Sequence, residues 1–260
     1  MAAPQRRRRS SVPLDAIKPY RRNGRAAGSL HEHLRRLILD GAIPNGASIS
    51  QVELAERLGV SRTPLREAMR MLQAEGIVSA EHNRRAHITR LEVGDIDTVY
   101  GCRVLLEATG VLVTVPTLDR ARLKELTEAA REMRSHGSDA DAEAWARAHR
   151  RFHRALVPPA GREFARTLSA YFDRAERFRR VYQTEEIEAG VRLPEEHEAI
   201  LKACRARDAS KAAALVARHS ARAALALMAQ IAPEREPNLV RTALQLFSTL
   251  DGRRPSRSSP

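Results

Sequence analysis

The sequence predicts a mainly α fold in two parts: an N-terminal winged helix-turn-helix domain and a C-terminal antiparallel all-α helical bundle. Three observations lead there. A short apolar-staple helix, a Gly-Val turn and an Arg-flanked second helix follow one another between Leu54 and Val78. Two short strand-like runs come directly after them. From Val93 onward, Ala, Leu, Arg and Glu dominate in segments of helical length separated by turn residues.

The chain opens with a stretch, residues 1–28, that carries Arg6 to Arg9, several Pro and Gly and almost no apolar periodicity, and it is expected to be a disordered basic arm. The first domain is placed at residues 29–90. Within it Leu54, Ala55 and Leu58 supply one apolar stripe, Gly59 takes the positive φ of a sharp helix exit, and Val60 plugs the angle. Ser61 is expected to cap the next helix with its side-chain oxygen, and Pro64 sits early enough that its missing N–H costs little. Leu65, Ala68, Met69 and Leu72 recur at helical spacing and face inward, which turns Arg62, Thr63, Arg66, Glu67 and Arg70 outward.

That outward face is basic and begins at a helix N-terminus, where base edges and phosphates are met by DNA-reading helices. Gly76 ends the helix. Ile77 to Ala80 and Ala86 to Thr89 read as two strands joined by a polar turn, with Arg84 and Arg85 placed to touch the DNA backbone or minor groove. A solvated basic face is the bland alternative, and the combination of turn, basic helix and wing favours DNA over it.

The bundle is placed at residues 91–232, with helices at Gly94 to Val115, Asp119 to Arg134, Asp141 to Leu156, Arg162 to Tyr182, Glu195 to Arg205 and Ala209 to Ile231. An extension, residues 233–260, adds a short helix from Asn238 to Leu250 and a disordered tail from Gly252. Trp145, Phe152, Phe164, Tyr171 and Phe172 are the expected large core fillers among Leu, Val, Ile and Ala. Cys102 and Cys204, the two cysteines, are far apart in sequence and are expected to be buried thiols rather than a disulfide or thiolate site.

The 260 residues carry a formal net charge of +13, which favours a polyanionic partner. Nucleic acid fits better than membrane, since no apolar run approaches the roughly 20 residues of a spanning helix. No apolar segment follows the basic N-terminus, as a signal peptide would require, and the expected location is cytoplasmic.

Four of the nine histidines stand out. His149 and His153 lie four apart on one helical face, and His197 and His219 fall inside later helices. Such a set can converge on a divalent metal ion, zinc or nickel, because imidazole suits both. Spacing alone leaves this reading level with that of polar or satisfied core residues. Arg103 and Glu107 also share a face, for which the bland reading is an exposed ion pair worth a few tenths of a kcal/mol.

The stretch from Ser29 to Arg90 resembles the winged helix-turn-helix of the GntR family of bacterial transcription regulators. The likeness is carried by Leu54-Ala55, Leu58-Gly59-Val60-Ser61-Arg62, Pro64-Leu65-Arg66-Glu67-Ala68 and Glu75-Gly76. It implies Arg62, Thr63 and Arg66 as DNA contacts and Ser61 as a phosphate contact. Gln51 stands where the family usually has Glu, and Arg85 where the wing usually turns on Gly. Val93 to Met228 resembles the FCD ligand-binding domain of the FadR subfamily. The matching elements are Arg103-Val104-Leu105-Leu106-Glu107, Phe152-His153-Arg154-Ala155-Leu156, Glu196-His197-Glu198-Ala199-Ile200 and His219. The resemblance implies an Asp and three His as metal ligands, and here His149 occupies the Asp position, which removes a negative charge from the site. It also implies that Arg103 projects into an effector cavity with Glu107, where its fork would hold a carboxylate.

Together these readings give a metabolite-responsive regulator, with repression rather than activation as its expected sense. It would bind a palindromic double-stranded DNA operator as a homodimer, modulated by a small organic acid near the metal. The rivals are a metal-dependent enzyme built on the histidine cluster and a non-specific DNA-coating protein. The sequence carries no HExxH, GxSxG, P-loop or dinucleotide motif, so the reading is of a non-enzyme.

Overall fold

The computed structural model describes residues 20, 26–39, 41–80, 85–136, 142–157, 161–182 and 193–249. The basic arm is represented there by Tyr20 and residues 26–28 alone. The rest of the arm, the wing tip with Arg84, and the tail from Gly252 lie outside the described residues. Contacts divide the chain into two compact units, one running up to Glu92 and including Glu176–Val181, the other made of Val93–Ala175 and the residues from Tyr182 on.

The first unit runs α1 (Ala26–Leu39), β1 (Ser48–Ser50), α2 (Gln51–Leu58), α3 (Arg62–Ala74), β2 (Val78–Ala80) and β3 (Arg85–Ile88). Each helix contributes its apolar stripe to one core: Leu30, Leu34 and Ile38 from α1, Leu54 and Leu58 from α2, and Leu65, Ala68, Met69 and Leu72 from α3. Gly59 ends α2 at φ 67°, a left-handed conformation that costs a residue with a Cβ about 1–2 kcal/mol. Ser61 occupies the N-cap position of α3 with extended φ and ψ, but its hydroxyl makes no capping hydrogen bond, contrary to the sequence expectation. The expected two-stranded ribbon is a three-stranded antiparallel sheet in the order β1-β3-β2, pairing Ser48 with His87 and Val78 with Ile88. Glu75, just past α3, ties that helix to α1: His31 Nε2 lies 2.6 Å from Glu75 Oε1, and Arg35 Nε donates to Oε2 at 3.0 Å.

The second unit runs α4 (Ile96–Thr114), α5 (Arg120–Ser135), α6 (Ala142–Ala155), α7 (Arg162–Tyr182, whose Glu176–Val181 stretch counts with the first unit), α8 (Pro194–Arg205), α9 (Ala209–Ile231) and α10 (Asn238–Ser248). α4 is its axis, packed against α9 and α10, while α5 lies on α6 and α8. With its flanking 3₁₀ turns, Val93–Thr117 is long and apolar enough to satisfy a membrane-span criterion, which the sequence reading had denied to every segment. Most of it is buried inside the unit and it carries the buried Arg103 and Glu107, so it is the core helix of a bundle.

Helix ends are secured by side chains. Asp119 and Asp208 accept from the third residue beyond them at 2.8 and 3.0 Å. The Asp97 carboxylate on α4 accepts from the amides of Leu239 and Val240 at 2.9 and 3.0 Å, and so caps α10 in place of Pro237, which has no side-chain bond to give. Arg207 holds φ 54° between α8 and α9 and donates to the carbonyls of Pro116 and Leu118 at 2.9 and 2.6 Å, placing a cation at the end of α4. Gly101 and Gly110 let α4 be approached closely: a Cβ on Gly110 would lie 2.3 Å from Val157 Cγ1, and one on Gly101 2.5 Å from Leu239 Cγ.

Among the predicted core aromatics, Trp145, Phe152 and Phe172 are buried, whereas Phe164 and Tyr171 are only partly so. Phe178, passed over in the sequence, is fully buried in α7. Cys204 is a buried free thiol, its pKa pushed up to about 12 by desolvation, and Cys102 is free but only half-buried.

Candidate functional site

Two places bring functional side chains together, one in each unit. In the first, α3 buries Leu65, Ala68, Met69 and Leu72 and leaves Ser61, Arg62, Thr63, Arg66, Glu67 and Arg70 exposed. Arg62, Thr63 and Arg66, with Gln51 and Val52 at the start of α2, line a surface hollow of about 470 Å³. Arg85 is exposed on β3, and its Nε donates to Ser48 Oγ of β1 at 3.1 Å. The hydroxyl of Ser61, spared from capping, stays at the helix start beside the unpaired N–H groups of the first turn. This is an exposed cationic surface on a helix anchored from behind, the arrangement that phosphate and base edges require.

In the second unit, His149 and His153 on α6, His197 on α8 and His219 on α9 converge. One ring nitrogen from each lies within 4.8 Å of the others, and all four residues are buried. The hydrogen bonds behind them fix the rings. His153 Nδ1 donates to Glu107 Oε1, His219 Nδ1 donates to Glu196 Oε2 at 2.7 Å, and His197 Nδ1 donates to the Leu193 carbonyl at 3.3 Å. Their Nδ1 atoms carry the protons, so their Nε2 lone pairs are free to act as donors. His149 Nε2 lies 3.0 Å from His153 Nε2, and the His149 ring is stacked on Trp145 at 4.6 Å between centroids.

Electrostatics agree with this tautomer pattern. Burial, then the positive charge that the neighbouring histidines would carry, holds His149 and His197 well below the usual imidazole pKa. Burial likewise takes His219 down to about 4 despite its bond to Glu196. Burial alone would raise Glu107 and Glu196. The facing His153 and Arg103 outweigh it at Glu107, and the bonds from His219 and Arg222 do so at Glu196, so both carboxyls fall to about 2 and stay ionised.

His197 Nε2 is buried and finds no hydrogen-bond partner among the described residues. A buried acceptor left unmade costs about 1–3 kcal/mol, and a metal ion at the centre of the cluster would satisfy it. Three imidazoles oriented by bonds to their Nδ1 atoms, with His149 as a fourth in the same cluster, fit zinc or nickel.

Arg103 and Glu107 are not the exposed pair of the bland reading. Arg103 Nε donates to Glu107 Oε2 at 3.3 Å, both residues are buried, and the guanidinium lies over the Phe172 ring at 4.3 Å. Ser220 Oγ donates to the same oxygen at 3.0 Å. A cavity of about 280 Å³ adjoins them, lined by Glu107, His153, Arg154, Val157, Ala165, Leu168, Ser169 and Phe172. Glu107 lines this cavity and Arg103 does not; Arg103 instead meets Glu107 through Nε and covers the Phe172 ring. Sequence reasoning missed Ser220 and Arg222, and gave no role to Glu196 although it directly precedes His197. The signal available was the pair of acidic residues, Glu196 and Glu198, that flank His197 in the sequence.

Comparison with known proteins places both units. The model of the bacterial regulatory proteins, gntR family, matches residues 26–88, and the FCD domain model matches residues 98–222. An uncharacterized HTH-type transcriptional regulator of Agrobacterium vitis, from the TAR-I ttuE-ttuC' intergenic region, is 32% identical over 140 residues, 52% of this chain and 80% of that protein. The HTH-type transcriptional regulator YdhC of Bacillus subtilis, also uncharacterized, is 34% identical over 131 residues, 49% of this chain and 57% of its own length, so the match spans little more than half of that relative. The solved structure of E. coli McbR/YncC superposes with a TM-score of 0.69 at 22% identity, over 80% of this chain and 99% of that one, which shows a shared fold.

Proposed function

The chain belongs to the GntR family of bacterial regulatory proteins and carries an FCD domain, and from this premise we propose that it is a DNA-binding transcription regulator. In this reading residues 29–90 bind DNA and residues 91–232 form the effector-binding and dimerisation domain. One observation carries the proposal: α3 keeps Arg62, Thr63, Arg66 and Arg70 exposed on one side while its apolar side is locked into the core of a module that the gntR family model matches. Ser61 and the wing residues Arg84 and Arg85 complete the assigned contact set, to phosphate and to the groove edge.

A homodimer pairs two such modules on a palindromic operator, since a twofold axis in the protein demands one in the site. A small organic acid bound in the helical domain shifts the affinity for DNA by its preference for one of two states, and release from DNA, hence repression, is the sense assigned. His149, His153, His197 and His219 are the residues that would hold a zinc or nickel ion. A bound ion would supply a fixed positive charge tying α6, α8 and α9 to one another. Glu107 and Glu196 keep the rings of His153 and His219 in the donor orientation, and Arg103 supports Glu107 from behind. The role assigned to this centre is regulatory rather than catalytic, in a cytoplasmic protein.

Selection of binding sites from random duplex DNA tests the reading. A single preferred, roughly palindromic sequence is the expected outcome. Arg62→Ala and Arg66→Ala should each cost about 1–3 kcal/mol in preference for it. A doubly substituted, folded protein that kept the full preference would remove α3 from the interface.

A further inference from the structure

The cavity beside Glu107 specifies a class of ligand, and this inference rests on the proposed effector role of the helical domain. Its wall is formed along one face of α7 by Ala165, Leu168, Ser169 and Phe172, and from α6 and the turn after it by His153, Arg154 and Val157. Only two places on it are polar. The Glu107–His153 pair is buried, whereas Arg154 is exposed and Ser169 half-buried, so the first pair marks the inner end and the second the mouth.

The inner end is unsuited to an anion. What faces the cavity there is a carboxylate, Glu107, whose oxygens already receive Arg103, Ser220 and His153, so the wall offers acceptors rather than donors. Of the four clustered histidines only His153 lines the cavity. The nitrogen that Glu107 engages there is Nδ1, the one facing away from the centre on which the Nε2 atoms converge. A ligand in this space therefore meets Glu107 rather than the histidine centre. At the mouth, Arg154 Nη2 reaches Ser169 Oγ at 3.4 Å, so a guanidinium and a hydroxyl stand side by side where a carboxylate would accept charge-assisted hydrogen bonds. Between the two ends Val157, Ala165, Leu168 and Phe172 offer no hydrogen bond. Each hydroxyl or second carboxylate buried there unpaired would weaken binding about ten- to hundredfold.

We propose that this cavity binds a monocarboxylate with a compact apolar body, the hydrocarbon part inside against Leu168 and Phe172 and the carboxylate at Arg154 and Ser169, without coordination to the histidine centre. Dicarboxylates and sugar acids are excluded by the same wall. At about 280 Å³ the space lies just below the usual range for small-molecule sites, which selects a single ring or a short chain.

Calorimetric titration of the full chain with benzoate, hexanoate, succinate and gluconate tests this without recourse to DNA. Benzoate or hexanoate should bind at least about a hundredfold more tightly than succinate or gluconate. Arg154→Gln, a change at the surface, should weaken the preferred ligand about tenfold or more. Leu168→Trp should abolish binding by filling the cavity, and Ala165→Leu serves the same purpose if that variant does not fold. Binding of the preferred ligand should survive prior treatment with a strong chelator. Equal or tighter binding of succinate or gluconate, no binding of any of the four, indifference to Arg154→Gln, or loss on chelation would each overturn the proposal. None of these results would touch the regulator reading, which stands or falls on site selection by α3.

Discussion

At the scale of single residues, the histidine centre makes a prediction about acid. His219 has a pKa of about 4 in the folded chain against 6.5 for the free side chain. A depressed folded value means that the unfolded chain takes up the proton first. Stability is therefore complete above pH 6.5 and drains away as pH falls toward 4. The full loss from this residue is about 3 kcal/mol, and His149 and His197 shift in the same direction. Glu107 and Glu196, depressed from 4.5 to about 2, add a second loss only below pH 4.5. Urea melts of metal-stripped protein from pH 7.5 to 4 should show this first slope, and a flat profile would mean that the histidines are not buried as neutral rings. Glu107→Ala should cost about 3–5 kcal/mol by leaving Arg103 buried without its counter-charge, measured in the same melts at pH 7.5. All four histidines could be picked out from the sequence, His149 and His153 because i, i+4 spacing survives any tertiary arrangement, His197 and His219 because they fall inside later helices. That they meet could not, because it depends on the relative placement of three helices. The engagement of Arg103 was equally hidden, since spacing allows an i, i+4 pair without saying that Phe172 covers it.

At the scale of elements, every helix among the described residues of the bundle was legible, and Arg162–Tyr182 and Ala209–Ile231 were so to the residue. Their signals were local: apolar spacing of helical period, Asp119 and Asp208 at the caps, and turn residues between. β1 escaped notice because Ser48–Ser50 is three residues long and exists only by pairing with residues 85–87, far along the chain. Ser61 misled for a related reason, since its backbone conformation is that of a cap while its hydroxyl is not engaged. Phe178 and Phe164 exchanged roles because a heptad-like stripe on α7 allows either as the filler until its neighbours are known. Gly110 gives the sharpest test at this scale. Gly110→Ala removes helix-weakening flexibility, which by propensity should stabilise by up to about 1 kcal/mol. The 2.3 Å approach of Val157 should reverse that sign to a net loss of about 1–3 kcal/mol, read from the midpoint of thermal unfolding.

For the whole molecule, the net charge of +13 and the exposed arginines of α3 set the salt dependence of DNA binding. The logarithm of the binding constant should fall linearly with that of salt concentration, with a slope of about −0.9 per phosphate neutralised. Replacing Arg70 by alanine should lower the steepness by about one contact and leave the preferred sequence unchanged, measurable by fluorescence anisotropy at several salt concentrations. A variant that altered sequence choice instead would make Arg70 a base reader. The bond from the Asp97 carboxylate to the amides of Leu239 and Val240 spans 142 and 143 residues of chain. During synthesis the first bundle helix thus waits for a segment more than 140 residues further along to be translated before its own clasp can close. The sheet and helices of the N-terminal unit, whose strand pairings all fall before residue 89, have their partners at hand much earlier. A ribosome stalled short of residue 238 would therefore display a nascent chain whose amino-terminal part resists protease while its helical part is still digestible.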